Sequence, residues 1–140
     1  KKIIEVRGAD AGNWRRTCAL PAFWVGMLYG ENSVNDAESI CDTWTVEDIE
    51  KLSVDVAQFG LDAKIKGVKV LNIAQSLLEI AKESLIKRDV RDVVGNNESM
   101  YLNVLLEILQ SEASPAKQLL ENFELEYKNS MVKLLEGIAY

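Results

Sequence analysis

Residues 70–88, Val70-Leu71-Asn72-Ile73-Ala74-Gln75-Ser76-Leu77-Leu78-Glu79-Ile80-Ala81-Lys82-Glu83-Ser84-Leu85-Ile86-Lys87-Arg88, decide the fold class. Leu71, Ala74, Leu77, Leu78, Ala81 and Leu85 recur at three- and four-residue intervals, the spacing that lays side chains along one face of an α-helix. Glu79 and Glu83 stay outside that stripe. Lys82, Lys87 and Arg88 gather toward the C-terminal, electronegative end of the helix dipole. A long helix with one apolar stripe must bury it against other elements, and the neighbouring segments read as further helices.

Toward the C-terminus, residues 89–97 are polar and end in the turn signature Gly95-Asn96-Asn97, so a loop is expected there. A helix over 98–111 follows, with Leu102, Leu105, Leu106 and Leu109 as its stripe. Ser114-Pro115 is an N-cap followed by proline in the first turn, opening a helix whose Leu119, Leu120 and Phe123 are expected to face inward. A short terminal helix over 130–137 offers Val132, Leu134, Leu135 and Ile138. The acidic residues Glu121, Glu124 and Glu126 read as a solvated helix face.

Toward the N-terminus, residues 61–69 are short, alternating and broken by glycine, which suits a loop or a brief extended segment, and they are read as a loop. Thr45 with Asp48 three residues on is a capping box with a shorter acid, opening a helix through Ile49, Leu52, Val56 and Phe59 that Gly60 ends. Ser33 or Asn35 caps a helix to about Trp44, with Val34, Ala37, Ile40 and Cys41 on its apolar side. A helix from Arg15 or Ala19 to Tyr29 precedes it. Pro21 fits best in a first turn, which favours the later start. Phe23, Trp24 and Tyr29 in this helix read as core aromatics.

Residues 2–7 break the helical pattern. Ile4 and Val6 alternate with Ile3, Glu5 and Arg7, and β-branched residues dominate, so a strand is expected. A lone strand leaves its backbone groups unpaired and must join a sheet from elsewhere. The fold class is therefore mainly α: one N-terminal strand from a larger antiparallel sheet, then about six helices, forming one helical subdomain over 1–140 with an active-site strand within 1–10. The chain opens Lys1-Lys2-Ile3 without methionine and steps straight into that strand, so it is expected to be cut from a longer polypeptide.

Composition restricts the chemistry. The sequence has no histidine, which excludes His-based triads and dyads. Sixteen basic against 22 acidic residues give a net charge of −6, a poor match for nucleic acid or an anionic membrane surface. The apolar run from Cys18 to Tyr29 is shorter than the ~18 residues a membrane span requires. Cys18 and Cys41 lack a CxxC spacing and read as buried thiols in a reducing cytosol.

Glu5 and Arg7, two apart on the strand, project from one face. They offer an oxygen ligand for Mg²⁺ and a fixed cation for phosphate oxygens; a solvated ion pair is the plainer alternative. Arg15 and Arg16, beside Trp14 and two glycines, suit a carboxylate or phosphate clamp, against the alternative of solvent-facing cations. Cys18 follows both arginines and is a candidate redox-sensitive thiol, with a buried structural cysteine as its alternative.

The string Glu5-Val6-Arg7-Gly8-Ala9-Asp10, then Trp14-Arg15-Arg16 and the run Cys18-Ala19-Leu20-Pro21-Ala22-Phe23-Trp24-Val25-Gly26-Met27-Leu28-Tyr29, resembles the glutamate-cysteine ligases of plants and proteobacteria. Asp42-x-Trp44-Thr45, Gly60-Leu61, Ser114-Pro115-Ala116 and Leu119-Leu120-Glu121 extend the likeness over essentially the whole chain, which is similar to that family's C-terminal third. Asn13 departs from it, standing where proline is usual before Trp-Arg-Arg.

The resemblance implies an ATP- and Mg²⁺-dependent joining of the glutamate γ-carboxylate to the cysteine amine through a γ-glutamyl phosphate, the first step of glutathione synthesis. It also implies kinship with glutamine synthetase, whose catalytic bowl is an antiparallel sheet. By motif match Glu5 becomes a metal ligand and Arg7 a catalytic, phosphate-contacting residue, with Arg7, Trp14, Arg15 and Arg16 as substrate-binding residues. In plant members a cysteine at the place of Cys18 forms a regulatory disulfide with a distant cysteine. The resemblance places the nucleotide site and most metal carboxylates in an N-terminal portion absent here, so the 140-residue chain alone is expected to be inactive. Expected partners are glutamate, cysteine, ATP and that N-terminal portion, with a homodimer possible and a plastid location if the source is a plant. A self-standing helical interaction module without catalysis is the competing reading.

Overall fold

The structure, a computed structural model, describes Glu5, Val6, Gly8, Ala9 and residues 12–138. Seven α-helices fill most of that span: α1 (Trp14–Tyr29), α2 (Ser33–Cys41), α3 (Val46–Phe59), α4 (Val70–Arg88), α5 (Asn103–Gln110), α6 (Pro115–Leu125) and α7 (Met131–Ile138). A hairpin of β1 (Lys64–Ile65) and β2 (Val68–Lys69) lies between α3 and α4. Of the strand expected over 2–7, only Glu5 and Val6 are described; both are exposed and belong to no helix or strand. The remainder of that expectation falls outside the described residues.

α4 is the keel. Leu78, Ala81 and Leu85 of its stripe are almost wholly buried and meet α1 through Ala22, Gly26 and Met27. Leu102 and Leu109 complete the core from the other side. Contact between α1 and α4 is close because its residues are small: a Cβ on Gly26 would stand 2.4 Å from the carbonyl oxygen of Ala81. Phe23 and Trp24 pack edge to face at the margin, with ring centres 5.5 Å apart. Tyr29 is not core; its ring is exposed and lies 5.9 Å beneath the Arg88 guanidinium.

α1 begins at Trp14, ahead of the proline-favoured start, and runs through Pro21. The Asn13 side chain accepts from the Arg16 amide at 3.1 Å and caps the helix a full turn early. Packing of Ala19 and Ala22 then holds the helix across the missing proline donor. α2 stops at Cys41, short of Trp44, because Thr45 must take extended backbone to cap α3. That capping box is complete: the Asp48 amide donates to Thr45 Oγ1 at 3.2 Å and the Thr45 amide to Asp48 Oδ2 at 2.9 Å.

The segment read as a loop over 61–69 is a 3₁₀ turn, Gly60–Asp62, followed by the hairpin. Lys66 and Gly67 both take positive φ, 47° and 83°, the geometry of a two-residue turn matched to strand twist. Lys66 Nζ donates to the Thr43 carbonyl at 2.5 Å and pairs with Asp48 at 3.2 Å, fastening the hairpin tip to the α2–α3 corner. The helix expected over 98–111 divides into a 3₁₀ turn, Glu98–Leu102, and α5.

The outer helices depart most from expectation. α3 and α6 bury no residue completely, and Leu134 is the one buried residue of α7. Leu119 and Leu120 are exposed, Phe123 is half-buried, and Val132, Leu135 and Ile138 are also exposed. Cys41 is exposed rather than core, since the side of α2 it shares with Val34 finds little to pack on. Periodicity marks which side of a helix is apolar, not whether another element covers it.

Candidate functional site

Glu5 apart, the candidate residues within the described span, Trp14, Arg15, Arg16 and Cys18, lie on the first two turns of α1. Asn13 and Gly12 hold this turn from below: the Thr17 hydroxyl donates to the Gly12 carbonyl at 3.2 Å, and the Thr17 amide to the Asn13 carbonyl at 2.9 Å. Gly12 has no Cβ for good reason, since one would lie 2.9 Å from Arg16 Cβ. Three consecutive helical residues point about 100° apart, so Trp14, Arg15 and Arg16 fan out in three directions.

Trp14 stands in solvent, 79 % exposed. Arg15 reaches α5, where its Nη2 donates to Glu107 Oε1 at 2.6 Å. The hydrogen bond, then the opposite charge, raises the Arg15 pKa and lowers that of Glu107. Arg15 therefore works as a tie between α1 and α5 in this structure. The spacing of residues gave no sign of Glu107, which lies 92 positions away and outside the apolar stripe of its helix.

Cys18 is a half-buried free thiol. With Trp14 and Arg15 it borders a hollow of about 250 Å³ whose far wall is Met100, Tyr101, Asn103 and Val104. Sequence reasoning named none of that far wall. Arg16 turns the other way, into an open groove of about 920 Å³ between α1, the end of α3, α5 and the start of α6. Its Nε is buried and has no hydrogen-bond partner among the described residues.

Arg7 lies outside the described residues, so its placement against Glu5 is not part of this geometry. Glu5 is exposed. Among the described residues no three carboxylates or thiols come together as a metal cage. No helix among the described residues is long and apolar enough to cross a membrane.

Comparison with known proteins matches residues 1–133 to the profile of glutamate-cysteine ligase family 2. All 140 residues align with plant proteins named glutamate–cysteine ligase, chloroplastic, at 36 % identity in Solanum lycopersicum and in Medicago truncatula and 35 % in Arabidopsis thaliana. The chain spans 26 % of the length of each of these relatives. With a family profile covering nearly its full extent, the chain belongs to glutamate-cysteine ligase family 2.

Proposed function

We propose that this chain is part of an ATP-dependent ligase that joins the γ-carboxylate of glutamate to the amine of cysteine, the first step of glutathione biosynthesis. The observation that carries this reading is the alignment of all 140 residues with proteins named glutamate–cysteine ligase. In the proposed chemistry the glutamate γ-carboxylate takes the terminal phosphoryl group of ATP, giving a γ-glutamyl phosphate and ADP. The cysteine amine then attacks the acyl carbon, the amide forms, phosphate departs and the amine loses a proton. Mg²⁺ would neutralise charge on the transferring phosphoryl oxygens.

Within that scheme Glu5 supplies a metal oxygen, and Arg7 stabilises the phosphoryl oxygens in the transition state. Trp14, Arg15 and Arg16 contribute substrate contacts from the start of α1, with Glu107 fixing Arg15. The domain assignment belongs to the same proposal: a C-terminal helical subdomain of a glutamine-synthetase-like enzyme that supports a catalytic sheet contributed by the remaining polypeptide. The names of the relatives favour a plastid over the cytosol as its compartment.

Substitution Arg7→Ala in the full-length enzyme tests the reading. Turnover is expected to fall by roughly 10²–10³-fold with the KM values little changed, the mark of a contact made in the transition state. Unaltered turnover would remove Arg7 from the reaction.

A further inference from the structure

The end of α1, the turn into α2 and the C-terminal half of α4 border a hollow of about 380 Å³, within the ~300–1,000 Å³ range of small-molecule sites. Ser33 and Ser84 line it and are only 5 % and 7 % exposed. A Cβ on Gly30 would collide with both of their Oγ atoms, so the two hydroxyls converge on one point. Ser39 and Ser76 donate to carbonyls four residues back along their own helices. Ser84 does not, and among the described residues neither Ser33 nor Ser84 has a hydrogen-bond partner. Their oxygens are not sealed in, since the buried side-chain atoms that lack a partner are Arg16 Nε and Glu98 Oε1. Two unpartnered hydroxyls of buried residues, still open to a hollow, are donors waiting for an acceptor.

The charges around the hollow say what kind of molecule brings that acceptor. The first turn of α2 lies here too, with no side chain capping it, and its amides carry the positive end of the helix dipole. Hydroxyls and free amides together suit a carboxylate. The rest of the lining has the opposite preference. Glu83 is held by Lys87 at 3.9 Å and Arg88 by Glu98 at 3.3 Å, whereas Glu31, Asp36 and Glu79 have no basic partner among the described residues. These carboxylates do not gather into a metal cage, so their charge suits ammonium groups spaced along an organic molecule rather than a single cation. One carboxylate with more than one ammonium is the charge pattern of a basic amino acid. Ile80 and the ring of Tyr29 offer apolar surface for its aliphatic stem.

We propose that this hollow binds a basic α-amino acid such as lysine. The carboxylate accepts from Ser33 Oγ, Ser84 Oγ and the first turn of α2, and the two ammonium groups donate to carboxylates among Glu31, Asp36 and Glu79. The hollow shares no lining residue with the one beside Cys18 or with the groove beside Arg16, and the proposal rests on no catalytic role for any residue.

The test is calorimetric titration of the full-length protein with L-lysine and two analogues that each lack one charge. Cadaverine has no carboxylate, and 6-aminohexanoate has no α-ammonium. Lysine is expected to bind saturably, and each analogue about tenfold or more weakly, the worth of one lost charge-assisted contact. Ser84→Ala removes a donor and Glu79→Gln an acceptor, and each is expected to weaken lysine binding about tenfold. Glu79 is exposed, so Glu79→Gln leaves the packing of α4 intact and keeps the test decisive if Ser84→Ala disturbs folding. No saturable binding of lysine to the parent protein would overturn the proposal. So would cadaverine or 6-aminohexanoate binding as tightly as lysine, or a folded variant of either kind that keeps the parent affinity, which would place the lysine elsewhere on the protein.

Discussion

At the scale of single residues, what matters most is often an atom that is missing. Gly26 brings α1 onto the Ala81 backbone, and a methyl group there would meet a carbonyl oxygen that cannot turn aside. Gly26→Ala is expected to cost about 1–3 kcal/mol, as overpacking does, and to lower the unfolding midpoint by several degrees in a thermal melt. An unchanged melt would show that α1 shifts freely on α4. Asn13 is the reverse case, a residue whose own side chain supplies the cap of α1. Arg15 shows the limit of reading neighbours in sequence: beside Arg16 it looked like half of a clamp, and in the fold the two diverge, one to Glu107 and one to the groove.

At the scale of elements, capping chemistry and helical period were legible and coverage was not. Thr45-x-x-Asp48 and Ser114-Pro115 marked the starts of α3 and α6, and the stripe from Leu71 to Leu85 marked α4 over its full length, because those signals are local. The hairpin escaped because its strands are only two residues long, Gly67 breaks the alternation of 61–69, and Lys66 is an unusual choice for positive φ. Burial of α3, α6 and α7 escaped because it depends on what lies against them. The Asp48 carboxyl is held below its usual range chiefly by the Thr45 amide, with Lys66 adding to the effect. A lowered pKa gives stability that is present above the ordinary carboxylate value and lost as pH falls through the folded one. Asp48→Asn should therefore be less stable than the parent at neutral pH, with the two denaturation midpoints converging in acid. A gap of constant size across that pH series would sever the capping box from the stability of α3.

At the scale of the whole molecule, the described residues have a firm centre of α1, α4 and α5 and a loosely clad outside. Such a body suits one side of a larger protein, and the chain spans 26 % of the length of its plant relatives. The 140-residue chain given glutamate, cysteine, ATP and Mg²⁺ is expected to release no ADP above background in a coupled assay, and sustained release would place the whole reaction within it. The junction of hairpin and corner carries one more implication, for where the chain accepts extra length. Lys66 at the hairpin tip grips both Thr43 and Asp48, so residues inserted at 66–67 or at 42–44 would unfasten two elements at once. The turn at 92–95 closes on its own Asp92 hydrogen bonds and lifts Val93 clear of the surface. A peptide tag or fluorescent reporter threaded in at that turn would ride on the outside without reaching the rivet that joins the hairpin to α3.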